Sequence, residues 1–271
     1  MNWLQRLNGW QQLLINMKIH KTSIIHKDAV IGDNVEIGPY CIVDEDVIIG
    51  SGTKLLPYVH VYPNTKIGKN NIFHQGCIVG GNPQDLKFNN EYSELVIGDN
   101  NTIREYCTLN RGTEASGKTI IGSNCLLMAY VHVAHDCIVQ DKVILANGVQ
   151  LGGHSEIHYH ATVGGMSPVH QFCKVGQHAF IGGGRVALQD VPPYILANGE
   201  PLKYAGINSI GLRRRDFDSD TRALIKRAYK ILYLSQFNRS QAISEIKNKL
   251  ELTEEIKTII NFVENSDRGL I

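Results

Sequence analysis

The sequence predicts an all-β solenoid followed by an α-helical C-terminal subdomain, on three observations. From Ile19 an aliphatic residue opens every sixth position, reading Ile19, Ile25, Ile31, Ile37, Val43, Ile49, Leu55, Val61, Ile67, Phe73 and Val79, and the same phase returns from Ile97 through Leu145 to Ile181. A small residue stands in fifth place of these hexads. After Val191-Pro192-Pro193-Tyr194 the hexads stop and helical spacing takes over. A six-residue period builds a solenoid in which each short strand is one side of a triangular coil and the opening residue fills the axis. Three hexads close one coil, so residues about 18 apart stack at the strand spacing of ~4.8 Å. The chain divides into an N-terminal extension (1–17), the solenoid (18–200) and the helical subdomain (201–271).

In the extension, Trp3, Leu4, Leu7, Trp10, Leu13 and Leu14 fall near helical spacing. Such a segment suits a membrane surface or the end of the first coil, while Met17 directly before the repeat is an alternative start. The solenoid is interrupted over Gly80-Gly81-Asn82-Pro83-Gln84-Asp85-Leu86-Lys87 and around Arg111 to Thr119. Loops that leave a regular stack commonly carry binding groups, because the stack itself supplies rigidity. Asn and Gly recur in third and fourth places (Asp33-Asn34, Asn70, Asp99-Asn100, Asn124, Asn147-Gly148), as corners with positive φ demand. Cys41, Cys77, Cys107, Cys125, Cys137 and Cys173 all hold the fifth place and read as small interior residues, with Cys107 and Cys125 the pair one coil apart. In the subdomain, Asp218 or Ser219 caps a helix carrying Leu224, Ile225, Ala228, Ile231 and Leu232, and two shorter helices follow from Ser240 and Thr253.

Lys and Arg number 27 against 26 Asp and Glu, so the chain lacks the field that nucleic acid requires. It contains no run of ~20 apolar residues for a spanning helix and no signal-peptide core, which points to the cytoplasm.

Six of the eleven histidines lie between His132 and His170. His132 closes one hexad and His135 stands third in the next, so both flank the inward Val133 and point outward. One coil beyond His135 the count reaches Gly153, beside His154; a second coil reaches Gln171, beside His170. Three readings of this strip stand together. As acid–base machinery, a neutral imidazole takes a proton from a hydroxyl, Asp136 orients it and the Gly153 N–H meets an oxyanion. As a metal site, His132-x-x-His135 with a third histidine suits zinc. As solvated decoration, the strip does nothing. His158, His160 and His178 read as outward surface residues or subunit contacts. Lys203, Arg213, Arg214, Arg215, Arg222, Lys226, Arg227 and Lys230 form a basic stretch suited to a phosphate or an acidic protein surface.

Leu126-Leu127-Met128, His132-Val133-Ala134-His135-Asp136-Cys137, Ile144-Leu145-Ala146-Asn147, Gly164-Gly165-Met166, Val169-His170-Gln171-Phe172, Gln189-Asp190-Val191-Pro192-Pro193-Tyr194 and Arg268-Gly269-Leu270-Ile271 together resemble the bacterial UDP-N-acetylglucosamine O-acyltransferases that open lipid A synthesis. The resemblance runs from Met17 to the end. It implies a left-handed parallel β-helix of hexapeptide repeats, assembled as a homotrimer, that moves a 3-hydroxyacyl chain from acyl carrier protein to the 3-hydroxyl of UDP-N-acetylglucosamine without an acyl-enzyme, cofactor, metal or stable membrane insertion. It assigns His135 as base, Asp136 as its orienting carboxylate and Gly153 as oxyanion donor. Sugar-nucleotide contacts fall on Asp85, Lys87, His132, His154, His170 and Gln171. Asn208, Arg214 and Arg215 fall in the segment associated with the nucleotide phosphates and the donor, and Gly183 falls at the acyl-length ruler, where a missing side chain leaves room for a longer chain. Asn110, where a histidine is frequent, and Ser209-Ile210, where the family pair includes Glu, depart from the pattern.

Three other functions compete. A related N-acyltransferase carries a further domain ahead of its solenoid. A zinc enzyme of the hexapeptide-repeat carbonic anhydrase type would use the histidines as ligands. A noncatalytic solenoid would bind sugar nucleotide or carrier protein alone.

Overall fold

The computed structural model describes residues 18–271, so the helical spacing read in the N-terminal extension lies outside the described residues. The chain forms two compact units that divide after Cys137.

In the first unit, strands of two to four residues pass in rotation to three parallel sheets. Lys18–Ile19, Ile24–Ile25 and Val30–Ile31 begin the three. Within a strand the hexad opener faces in and the residue before it faces out, so Ile49 is buried while its neighbour Ile48 is exposed. Ile37, Val43, Leu55, Val61, Phe73, Val79, Ile97, Leu109 and Val133 are all buried. The register begins at an offset of 18, with Lys18 opposite Glu36 and Ile19 opposite Ile37. It widens to 30 across the first interruption, where Ile78 faces Thr108, and to 24 across the second, where Thr108 faces His132. Both excursions leave at corners and return without shifting the inward phase.

The widened offsets correct one reading. Cys77 and Cys107, not Cys107 and Cys125, are the neighbours across a rung, because the second excursion carries Cys125 to a different corner. The Cys107 thiol and burial together push the Cys77 thiol far above its ordinary range. All six cysteines are buried and free.

A left-handed residue stands in fourth place at successive corners. Asn34, Asn70, Asn100 and Asn124 fill it as expected, but so do Tyr40 (φ 58°), Tyr58 (φ 64°), Tyr106 (φ 56°), Tyr130 (φ 64°) and Asp136 (φ 60°). Such a φ costs an ordinary L-residue about 1–2 kcal/mol. The strain persists because the rungs on both sides fix the corner, and the tyrosines recover part of it by stacking, Tyr40 on Tyr58 at 5.3 Å and Tyr106 on Tyr130 at 5.6 Å. At another corner two buried asparagines form a ladder. Asn71 accepts from the Asn101 N–H at 2.9 Å; Asn101 accepts from the Cys125 N–H at 2.7 Å and donates to the Gly122 carbonyl at 2.9 Å.

The second unit continues the hexads through Ile138–Val139, Ile144–Leu145 and Gln150–Leu151 to Phe180–Ile181. Its left-handed corners carry Lys142, Gly148, His154, His160, Met166, Phe172, His178, Gly184 and Tyr194. Ile195–Asn198 pairs in parallel with the Phe180 strand and then, antiparallel, with Lys203–Ile207. Four helices follow: α1 (Ser209–Arg213), α2 (Ser219–Leu234), α3 (Arg239–Lys249) and α4 (Glu254–Glu264). Asp218 caps α2 by accepting the Thr221 N–H at 2.7 Å, and Asn238 with Gln241 forms a capping box on α3. α4 buries Ile256, Ile259, Ile260, Phe262 and Val263, and the α2 residue Tyr229 is fully buried, its hydroxyl donating to the Pro193 carbonyl at 2.5 Å. Buried Asp190 holds the C-terminus: it accepts from the Lys174 N–H at 2.7 Å and the Ser266 hydroxyl at 2.6 Å, and its own N–H donates to the Gly269 carbonyl.

Replacing Asn101 by alanine removes the acceptor of the Cys125 N–H and the donor to the part-buried Gly122 carbonyl. Each lost bond costs ~0.5–1.5 kcal/mol. The urea midpoint of Asn101→Ala is therefore expected to fall with an unchanged slope, and an unchanged midpoint would show the ladder to be dispensable.

Candidate active site

His135 and Asp136 sit where the second excursion, 111–118, folds back over its corner. Asp136 holds the left-handed fourth place, and this turns its carboxylate toward the excursion. The Asp136 side chain is fully buried and meets donors on both oxygens. Oδ1 accepts from the Thr113 N–H at 2.9 Å and from the Ser116 hydroxyl; Oδ2 accepts from the Thr113 hydroxyl at 2.7 Å and lies 2.7 Å from His135 Nδ1. Its N–H donates to the Thr119 hydroxyl at 2.8 Å. Burial alone would raise this carboxyl. The bonds from Ser116, His135 and Thr113 outweigh it and hold the group at about 2.

An ionised Asp136 favours the tautomer of His135 with its proton on Nδ1, which makes Nε2 the unprotonated nitrogen. The His135 side chain is 14% exposed. His132, one strand earlier, pairs through Nδ1 with the Thr108 hydroxyl at 2.7 Å. Burial, reinforced by the nearby His135, lowers its pKa and keeps it neutral.

The first excursion carries Asp85 and Lys87. Asp85 Oδ1 accepts the Lys87 N–H at 3.0 Å and its carbonyl accepts the Phe88 N–H, a tight turn that leaves Leu86 and Lys87 exposed. Arg111 lies over the Phe88 ring at 5.4 Å and so joins the two excursions. Asn110 is buried, and its Nδ2 has no partner among the described residues.

In the second unit the 18-residue register sets Gln150 against Pro168 and Leu151 against Val169, so Gly153 and His154 lie on the rung before Gln171 and Phe172. The Phe172 N–H donates to the Gly153 carbonyl at 3.1 Å, and the His154 ring stacks on Phe172 at 4.5 Å. Gly153 is buried, and its N–H makes no hydrogen bond among the described residues. His170 Nδ1 lies 3.1 Å from the Gln171 carbonyl and 3.4 Å from an Arg268 nitrogen. Gly183 is exposed at a third place, where an added Cβ would lie 3.3 Å from the Gly165 carbonyl oxygen.

Asn208 and Arg215 converge on His178, whereas Arg214 points to solvent. Asn208 Nδ2 donates to the His178 carbonyl at 3.0 Å, and Arg215 Nη1 lies 3.1 Å from His178 Nδ1. His178 is 6% exposed, which corrects the reading of it as a surface residue. The segment after the last rung folds across its corner and covers it. Sequence reasoning also missed Thr113 and Ser116 as partners of Asp136. The available signal was the interruption of the hexads just before the His135 hexad.

Among the described residues no helix is long and apolar enough to cross a membrane. Residues 190–271 match the family described as UDP N-acetylglucosamine O-acyltransferase, domain 2, and residues 46–81 and 118–153 match the bacterial transferase hexapeptide of six repeats. An acyl-[acyl-carrier-protein]–UDP-N-acetylglucosamine O-acyltransferase of Thiobacillus denitrificans is 41% identical over 254 residues, spanning 93% of this chain and 98% of its own. The enzyme of the same name from Aliarcobacter butzleri is 44% identical over 256 residues, spanning 93% of this chain and 97% of its own. The crystal structure of the UDP-N-acetylglucosamine O-acyltransferase of Moraxella catarrhalis is similar with a TM-score of 0.92 at 43% identity, covering 94% of this chain and 100% of that one. These relatives carry acyltransferase names, and the carbonic anhydrase alternative finds no support among them. On sequence and on fold, the chain belongs to the UDP-N-acetylglucosamine O-acyltransferases, hexapeptide-repeat transferases built as a left-handed parallel β-helix with a C-terminal helical subdomain.

Proposed function

We propose that this chain transfers a 3-hydroxyacyl group from acyl carrier protein to the 3-hydroxyl of UDP-N-acetylglucosamine, the first step of lipid A synthesis, working as a homotrimer in the cytoplasm. The observation that carries the mechanism is the His135–Asp136 pair, with the carboxylate buried among donors and the imidazole partly open. His135 Nε2 takes the proton of the sugar hydroxyl as its oxygen attacks the acyl carbonyl. The Gly153 N–H, one coil beyond His135 by the hexad count, receives the developing oxyanion. Collapse breaks the bond to the carrier's sulfur, and the proton on His135 passes to that thiolate. Transfer is direct, in keeping with six buried cysteines of which Cys41 and Cys173 have thiol pKa values raised by desolvation.

Around this centre, His132, His154, His170 and Gln171 contact the sugar nucleotide with Asp85 and Lys87 of the first excursion. Asn208, Arg214 and Arg215 hold phosphate groups of the nucleotide or donor. Gly183 sets the acyl length, and a side chain there would crowd the Gly165 carbonyl, its Cβ lying 3.3 Å from that oxygen.

His135→Ala is expected to lower acyl transfer from acyl carrier protein by about 10²–10⁴-fold, the typical contribution of a general base, with the oligomer unchanged on size-exclusion chromatography. Near-normal turnover would remove it as the base. The folded Asp136 carboxyl titrates at about 2, below its ordinary 3.8, so it stabilises the fold fully above pH ~4 and that contribution is lost as pH falls toward 2. Asp136→Asn should therefore flatten this part of the wild-type stability profile; matching acid limbs would count against an ionised Asp136. Gly183→Met should move the preferred donor to shorter chains in a competition among carrier-bound acyl groups, and an unaltered preference would exclude this position as the ruler.

A further inference from the structure

We propose that His178 is a positioning residue for Arg215, accepting one guanidinium N–H at its imidazole Nδ1 so that the remaining donors are aimed at a phosphate group. The inference rests on the reading of Arg215 as a phosphate-binding residue.

His178 is enclosed on every side. Tyr194 stacks on its ring at 5.6 Å, and Phe217 (5.0 Å) and Tyr159 (5.5 Å) meet it edge-on, with His160 tilted at 5.3 Å. An acceptor held this firmly fixes whatever donates to it. The guanidinium carries five N–H donors on a flexible stem, and anchoring one of them removes much of the freedom lost on binding an anion. The same residue fixes the approach of the chain. Its carbonyl accepts Asn208 Nδ2, while Asn208 Oδ1 accepts the Gly211 N–H that starts α1 and the Arg215 N–H closes onto the Leu212 carbonyl.

The choice of imidazole over carboxylate has a physical reason. A carboxylate would hold Arg215 equally well but would neutralise the charge a phosphate needs. A neutral imidazole accepts the bond and leaves the positive charge unspent. Burial, with Arg215, His160 and Lys142 nearby, drives the His178 pKa down to about 3, so Nδ1 is an acceptor throughout the neutral range. Asp216, Asp218 and Glu255 line the hollow beside Arg215, yet among the described residues none forms an ion pair with it.

The test compares His178→Phe, His178→Asn, Arg215→Ala and the Phe/Ala double variant, with KM for UDP-N-acetylglucosamine and for the acyl carrier donor measured separately from kcat. Phe keeps the packing and is tolerated at a left-handed corner, as Phe172 at φ 65° shows. Asn suits that conformation and places its Oδ1 where Nδ1 stood. His178→Phe is expected to raise the same KM that Arg215→Ala raises, by about tenfold for a lost charge-assisted bond, with kcat within about twofold. His178→Asn should keep most of the affinity, and the double variant should be no worse than Arg215→Ala. Which KM responds identifies the phosphate as that of the nucleotide or of the donor. A raised KM in Arg215→Ala beside a normal one in His178→Phe, or additive losses in the double variant, overturns the inference alone. An unchanged Arg215→Ala overturns the reading of Arg215 and the inference with it.

Discussion

Parallel register is the constraint on which everything else in this chain depends. A strand of two residues cannot hold itself in place, but when each is bonded to the equivalent strand one coil away, the backbone groups are paired and the inward residue meets its counterpart. The corner between two such strands then has little freedom. It must turn within a few residues, and the left-handed conformation in fourth place is the result. That demand is strong enough to impose a positive φ on tyrosine, lysine, phenylalanine and methionine, which do not choose it.

The stack supplies rigidity, and the excursions supply chemistry. Asp136 stands on a corner whose backbone the rungs fix, yet the groups that keep its carboxylate charged come from Thr113 and Ser116, outside the hexads. A buried carboxylate without such donors would be protonated or would solvate itself. The imidazole beside it therefore owes its tautomer to a six-residue detour, and its place to the solenoid. Arg215 repeats this division of labour. Its anchor, His178, belongs to a rung, while the arginine itself arrives on the segment that follows the last one.

The parts of the architecture that recur were legible in the amino-acid order. The inward openers, the fifth-place cysteines, the Asn corners and the cap at Asp218 each follow from local chemistry that can be read, whereas Thr253 starts its helix without a side-chain capping bond. The features that were not legible depend on unequal spacing or on one chance meeting. A count of 18 put Cys107 beside Cys125, but the second excursion adds a third of a coil and carries Cys125 away, while the first, with its offset of 30, sets Cys77 beside Cys107. α1 is five residues long and depends on the Asn208 side chain, too little for periodicity to reveal. His178 sits in an outward place and looked exposed, since nothing in the hexads says that a later segment will cover it. The partners of Asp136 were hidden for the same reason: a loop's destination is not written in its composition.

The second excursion lengthens its coil by one whole hexad, from an offset of 18 to one of 24. The rung pairing and the donors to Asp136 are therefore supplied by different segments. Trimming or rewriting 112–117 would leave each rung opposite the same partner while changing the number of hydroxyls around Asp136. The hydrogen-bond partners of the Asp136 carboxylate are in this way carried by a detour rather than by the paired strands.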